Sequence, residues 1–248
     1  MGELKTLKGE EKPKTKTEKG YCDEHGEYES HVYEIKKMGL SLRTGCPICY
    51  PENEEIDDDD YENLFRSSGI PQRFVDSEIS NFTPGYKKQE FALKAASKYV
   101  QNWNNILKNG TSLIFCGSPG TGKTHLSISI MKEILRLGFS AKYIQARKMT
   151  REVKQTYSGG SEILEIERFV RPQLLIIDEV GKQFDSDSER GIMFEILNDR
   201  YNNMKPTILI SNMNKNSLEE FLGIEIVDRI CEGNGLVIDI TGESYRRK

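Results

Sequence analysis

The sequence predicts an α/β fold, a doubly wound parallel sheet, preceded by a small cysteine-bearing module. Three observations carry that expectation. Short apolar runs alternate with helical stretches after residue 89, the pattern of parallel strands joined by helices. The glycine-rich run GSPGTGKT stands between one such strand and one such helix. Two close pairs of metal-ligating residues, Cys22 with His25 and Cys46 with Cys49, stand clear of that pattern.

Taken in order, residues 1–20 read as a disordered arm, because lysines alternate with Glu3, Glu10, Glu11 and Glu18 and little there can be buried. Residues 21–50 form the cysteine module. Residues 51–63 contain the run EEIDDDD, whose like charges repel and extend the chain into an acidic linker. The α/β domain then occupies residues 64–248. Gln89 to Leu107 carries Phe91, Ala95, Val100, Trp103 and Leu107 at helical spacing. Strands are expected at Ser112–Cys116, Ala141–Ala146, Leu174–Asp178, Thr207–Ser211 and Leu236–Ile240. Helices are expected at His125–Leu137, closed by Gly138 in the C-cap position, and at Asp187–Tyr201.

The 248 residues hold 35 Lys and Arg against 39 Asp and Glu, a net charge of −4. That excludes a uniformly basic nucleic-acid coat, so any such contact must come from a local basic surface. No run reaches the roughly 18 apolar residues of a membrane span. The N-terminus lacks the apolar core of a secretory signal. Five cysteines, an odd number clustered mainly beside a histidine near the N-terminus, argue for a reducing cytoplasm rather than a disulfide scaffold.

GSPGTGKT fits G-x-x-x-x-G-K-[ST] at every fixed position. Gly117, Ser118, Pro119, Gly120, Thr121 and Gly122 let successive backbone N–H groups point at phosphate oxygens, and the helix N-terminus adds its positive end. Lys123 supplies charge to the β and γ phosphates, and the Thr124 hydroxyl is placed for Mg2+. His125 follows directly. In LLIIDE, Leu174–Glu179, four apolar residues bury a strand and Asp178 emerges at its carboxyl end, the edge where such sheets bind ligands. Asp178 is expected to hold Mg2+ and Glu179 to polarise an attacking water. Asn212 ends the next apolar strand, where it either orients that water or simply begins a turn. Arg229 either pairs with Asp228 or Glu232, or projects into a neighbouring subunit's site.

The cysteine module reads C-x-x-H, twenty residues, then C-x-x-C, the spacing that closes a tetrahedral zinc site. Cys22, His25, Cys46 and Cys49 leave no open position, so the Zn2+ is structural; His31 is the spare ligand. Cys116 and Cys231 fall inside the α/β pattern and read as ordinary buried thiols.

These residues together resemble the AAA+ ATPases, and within them the DnaC-type helicase loaders and their IstB relatives. The matching stretches are IPQRF at Ile70–Phe74, GSPGTGKTHL, LLIIDEVG, EILNDRYNNMKPTILISN and the tail from LGIEIVDRICEGNG to SYRRK. The resemblance spans Leu64–Lys248. It implies a sheet core without a C-terminal helical lid and ATP with Mg2+ as ligands. It also implies a water-orienting role for Asn212, an arginine finger at Arg229 and a nucleotide contact from Arg246. Further implications are a ring or spiral of subunits with ATP at their junction, and the replicative hexameric DNA helicase and single-stranded DNA as partners. The N-terminal module departs from the helical one of the best-known loaders. A positive groove with aromatic platforms for single-stranded DNA is expected from Arg147, Lys148, Arg151, Lys154 and Tyr157, and from Lys182 and Phe184; a merely solvated basic face is the alternative. Two other readings stay open: an IstB-like transposition helper, and a zinc-dependent nucleic-acid scaffold whose nucleotide is not hydrolysed.

Overall fold

The computed structural model describes residues 15–22, 25–35, 40–43, 58–181 and 187–245. The chain divides into two compact units, Met1–Pro51 and Glu52–Lys248. In the first, strands β1 (Thr15–Cys22), β2 (Gly26–Ile35) and β3 (Leu40–Arg43) form an antiparallel sheet in that order. Residues 15–20 therefore belong to a strand and not to a disordered arm. Polar as they are, they ladder fully onto β2, from Thr15 opposite Tyr33 to Cys22 opposite Gly26. A strand rich in tyrosine and β-branched residues is a ready partner, and Lys19 reaches diagonally to Glu27 at 3.0 Å.

The second unit opens with α1 (Asp58–Ser67). Residues 58–62, expected to be linker, are its first turns. Carboxylates suit the positive end of a helix, and Tyr61 meets Phe65 one turn on, ring centroids 5.9 Å apart. Single 3-10 turns follow at Gln72–Phe74 and Ile79–Asn81. The one helix expected over residues 89–107 is two, α2 (Lys87–Gln101) and α3 (Trp103–Asn109), broken at Asn102. The Asn102 side chain donates back to the Lys98 carbonyl at 2.9 Å, the local competition that makes asparagine a poor helix former.

There follow β4 (Leu113–Cys116), α4 (Lys123–Arg136), β5 (Ala141–Gln145), α5 (Ala146–Gln155), α6 (Glu162–Val170) and β6 (Leu174–Val180). Then come α7 (Asp187–Asn202), β7 (Thr207–Ser211), α8 (Lys215–Leu222), α9 (Ile224–Cys231) and β8 (Leu236–Asp239). The strands form one sheet in the order β5-β6-β7-β4-β8, every pair parallel. β4 and β7 are buried along their whole length, which is why they read as unbroken apolar runs. Ile114, Cys116, Leu175, Ile177 and Leu209 pack on one face against Met149, Val153, Phe169, Ile192, Ile196 and Val227. Burial pushes the Cys116 thiol up to about 11, so it stays protonated. Gly138 takes a left-handed φ of 84° just after α4, as the C-cap reading requires.

Arg200 on α7 is fully buried and serves the backbone. It donates to the carbonyls of Phe169, Val170, Pro172, Gln173 and Pro206 and to the Thr207 hydroxyl. Burial lowers its pKa to about 9, which leaves it charged at neutral pH. It thereby ties the turns entering β6 and β7 together at the amino edge of the sheet. The opposite, carboxyl edge is left to the loops that follow β4, β6 and β7. No helix among the described residues is long and apolar enough to cross a membrane.

Candidate nucleotide-binding site

At that carboxyl edge the chain leaves β4 and wraps through Gly117–Gly122 into α4. Gly120 and Gly122 hold φ at 76° and 95°, open without strain only to glycine. A Cβ on Gly122 would run into the Phe82 ring, and one on Gly120 into Ser244. The loop is thus clasped by two segments distant in sequence. Lys123, 4% exposed, donates from Nζ to the carbonyls of Gly117 (2.9 Å) and Ser118 (2.6 Å). Its charge is held at the centre of the loop.

Thr124 Oγ1 donates to Asp178 Oδ2 at 3.0 Å, and the Tyr143 hydroxyl donates to the same oxygen at 2.8 Å. Burial, and then the Asp178 carboxylate, raise the Tyr143 pKa, so the phenol remains a donor. Asp178 Oδ1 accepts the Glu179 N–H at 2.7 Å. Glu179 has φ of 61°, and the β6–β7 register slips between Ile177 and Val180. A bulge of this kind re-aims a side chain that strand alternation would send elsewhere. Ser211 Oγ, at the end of β7, ties back to the Val180 carbonyl at 2.7 Å. Asn212 follows it and, with Lys123, Thr124, Asp178 and Glu179, lines a cavity of about 540 Å3.

The cavity's other wall escaped the sequence reading. Pro71, Arg73, Phe74, Asn81, Phe82, Tyr143, Gln145 and Tyr245 also line it. Phe82 and Tyr245 meet edge to face, centroids 6.3 Å apart, and the Tyr245 N–H donates to the Gly120 carbonyl at 2.9 Å. Residues 71–82 form a strap pinned onto α4. Lys132 donates to the Val75 carbonyl (2.8 Å) and the Glu78 carboxylate. Arg136 holds Glu78 (2.9 Å) and Glu133 (2.6 Å). Burial alone raises the Glu78 pKa, but Arg136 and Lys132 more than offset it and the carboxyl sits below its ordinary value. The His125 ring meets the Glu78 carbonyl at 3.0 Å and lies edge-on to Phe82 at 5.4 Å. His125 thus joins the strap contact and also lines the cavity. The signal for this wall was the IPQRF motif together with the tail, whose aromatic residues carry no chemistry until the fold joins them.

Other expected site residues lie elsewhere. Arg229 is not among the residues lining its own chain's cavity. It donates to Asn198 Oδ1 on α7 and sits over the Phe194 and Tyr201 rings, not against Asp228 or Glu232. Arg147, Lys148 and Arg151 are exposed on α5; Lys148 lies 3.7 Å from Glu152, and Lys154 reaches Glu189 at 3.3 Å. Tyr157 is exposed and bonds Glu162. In the first unit Cys22 Sγ is 3.6 Å from His25 Nδ1. Among the described residues no group of three or more His, Cys, Asp or Glu is placed for a metal. Cys46, Cys49, Lys182, Phe184 and Arg246 lie outside the described residues.

A glycine-wrapped ammonium beside a Thr–Asp oxygen pair can take a triphosphate with its divalent cation. The oxygen donors suit Mg2+, a hard ion, and not a soft one. Comparison with known proteins agrees. Residues 52–248 match the family model described as IstB-like ATP binding protein. The chain belongs to that family. This IstB-like chain is 32% identical over 189 residues to the replicative helicase loader DnaC of Escherichia coli K12, covering 75% of itself and 76% of the relative. The DnaC of Buchnera aphidicola from Schizaphis graminum is likewise 32% identical over the same extent. A crystal structure of the DnaC helicase loader superposes with a TM-score of 0.62 at 25% identity, covering 68% of this chain and 99% of that one. A DnaI crystal structure, 22% identical, shares the fold with a TM-score of 0.60, over 70% of this chain and 96% of that one. The sheet is thus the AAA+ type expected.

Proposed function

We propose that the chain is an ATP-hydrolysing switch that loads a replicative DNA helicase onto single-stranded DNA. The observation that carries the ATPase half is the Thr124–Asp178 contact of 3.0 Å beside the Lys123 loop. The loader half is supported by the kinship with DnaC over three quarters of the chain. In this reading Lys123 neutralises the β and γ phosphates and Thr124 and Asp178 hold Mg2+, which, when bound, spreads the developing charge on the transferring group. Glu179 accepts the proton of a water whose oxygen bonds to the γ phosphorus as the bond to the β–γ bridging oxygen breaks. ADP and inorganic phosphate are the products. Asn212 orients the water, and Arg229 of a neighbouring copy meets the γ-phosphoryl oxygens. The aromatic wall of Phe82 and Tyr245 takes the base. The acidic total charge is compatible with DNA binding through Arg147, Lys148 and Arg151, since a local basic face suffices.

The loader reading is tested by pull-down against the host's replicative helicase with and without ATP·Mg2+. Nucleotide-dependent co-purification is expected. Retention of a transposase instead would overturn it in favour of the transposition helper, the reading suggested by the family's name.

The first unit we assign as a structural zinc module held by Cys22, His25, Cys46 and Cys49. Cys22, at the end of β1, and His25, just before β2, support it as a sulfur and nitrogen donor pair 3.6 Å apart. The purified chain is expected to carry about one zinc per chain, lost in a Cys46→Ser, Cys49→Ser variant. A metal-free native chain would end this assignment.

A further inference from the structure

Phe194, Asn198 and Tyr201 stand at i, i+4 and i+7 of α7, one stripe along the helix. Phe194 and Tyr201 are 43% and 37% exposed, large rings left half in water. The Arg229 guanidinium, brought by α9, lies 6.0 Å from the first ring centroid and 5.4 Å from the second. Its Nη1 donates to the Asn198 amide oxygen. The Tyr201 hydroxyl donates in turn to Glu232, which fixes that ring.

Among the described residues the partners of this guanidinium are neutral. Several other arginines are held differently: Arg136 and Arg168 hold carboxylates, Arg200 is sunk among carbonyls, and Arg73 and Arg190 each lie over a single ring, Phe74 and Phe221. Acids stand close to Arg229 in sequence, Asp228 before it and Glu232 three residues on, yet Glu232 is given to Tyr201. A guanidinium oriented by two rings and an amide keeps its charge unneutralised and most of its five N–H donors unspent. That is the condition in which an arginine meets a phosphoryl group best.

The geometry points to Phe194, Asn198 and Tyr201 as positioning residues that hold Arg229 for the nucleotide cavity of a second copy of this chain. The inference rests on the ATPase reading above and adds to it the cradle that aims the arginine. The half-exposed rings also give the neighbouring copy an apolar surface around the charge. Removing the cradle leaves the charge but loosens its aim, and an error of about 1 Å in a catalytic group costs on the order of 100-fold in rate.

The test mixes two full-length chains that are each inactive alone. Lys123→Ala supplies Arg229 but lacks the phosphate-binding ammonium; Arg229→Ala keeps the ammonium but lacks the arginine. Mixing is expected to restore ATP turnover at saturating ATP·Mg2+. Asn198→Ala or Tyr201→Leu placed in the Lys123→Ala chain is expected to lower the restored rate about tenfold or more, with the KM for ATP unmoved. Tyr201→Phe, which keeps the ring but releases Glu232, is expected to lose less than Tyr201→Leu. The same substitutions placed in the Arg229→Ala chain are expected to matter far less, which a purely structural role does not predict. Equal losses in either chain would overturn the cradle, as would indifference in the Lys123→Ala chain. Failure of the two parents to complement at all would sink the trans arginine itself. Turnover by the Arg229→Ala chain alone at the native rate would sink its part in hydrolysis.

Discussion

The two walls of the nucleotide cavity are built by different means. One comes from short contiguous motifs at the carboxyl ends of adjacent parallel strands: Lys123 and Thr124 after β4, Asp178 and Glu179 on β6, Asn212 after β7. Each side chain is aimed by the strand or loop that carries it. The other is a strap and a tail: Phe74 and Phe82 come from a strap pinned to α4 by an ion cluster, and Tyr245 from a tail whose N–H meets the Gly120 carbonyl. The first wall holds charge that chemistry acts on; the second holds surface. Substitutions in the first are therefore expected to cost function outright, and those in the second to cost affinity by degrees.

The largest effect is expected at Lys123. Lys123→Ala removes the one ammonium enclosed by the loop and is expected to weaken ATP binding by about 100-fold or more. It also strips a donor from the Gly117 and Ser118 carbonyls, so a thermal melt is measured beside the titration. Unchanged ATP affinity in a folded variant would separate this loop from the phosphates. Next stands Glu179. Glu179→Gln keeps the size and loses the base, so hydrolysis is expected to fall by about 100-fold or more while ATP still binds. Equal turnover in the variant would remove Glu179 from the proton transfer.

The first wall was legible because its chemistry is written in consecutive letters. G-x-x-x-x-G-K-T and LLIIDE each give residue type, spacing and strand context within one element, and the order of apolar runs gave the parallel sheet. The break at Asn102 was not, because it depends on a side chain reaching back to its own helix. Thr15–Gly20 looked unburiable and became a strand because its partner lies across a turn. Tyr143 gave no signal, since a tyrosine within a strand reads as core until Asp178 is placed beside it. The strap was hidden for the same reason: Glu78 lies more than fifty residues from Lys132 and Arg136 and meets them only in the fold.

Glu78 is where the second wall can be broken. Glu78→Gln leaves Lys132 and Arg136, largely buried, without their shared carboxylate, a change that typically costs about 3 kcal/mol. The melting temperature is expected to drop and ATP affinity to weaken about tenfold as the strap lifts from α4. The native pH dependence follows from the lowered Glu78 pKa. Folding favours the ionised form, so this stabilisation is fully present above the ordinary carboxylate range and fades as pH falls through the lower folded value. The melting temperatures of native chain and Glu78→Gln are expected to converge under acid. A gap that stays constant down to that range would show that the pins do not act through the carboxylate's charge.

Tyr245 tests the wall at its mildest. Its ring is 38% exposed, so little folding energy rests on it, while its backbone N–H holds Gly120 whatever the side chain. The loop's geometry should therefore survive Tyr245→Leu, and only the surface offered to the base should change. Aromatic stacking is worth about 0.5–1.5 kcal/mol beyond burial, so ATP affinity is expected to fall about threefold to tenfold. Tyr245→Phe keeps the ring and loses the hydroxyl's long 3.4 Å bond to Gln89, so it should bind as the native chain does. The discriminating measurement is the affinity for a triphosphate without its base: Tyr245→Leu should weaken ATP and leave inorganic tripolyphosphate unaffected. An equal loss for both ligands would mean that the tail acts on the phosphate loop itself, and the division between a charged wall and an aromatic one would have to be redrawn.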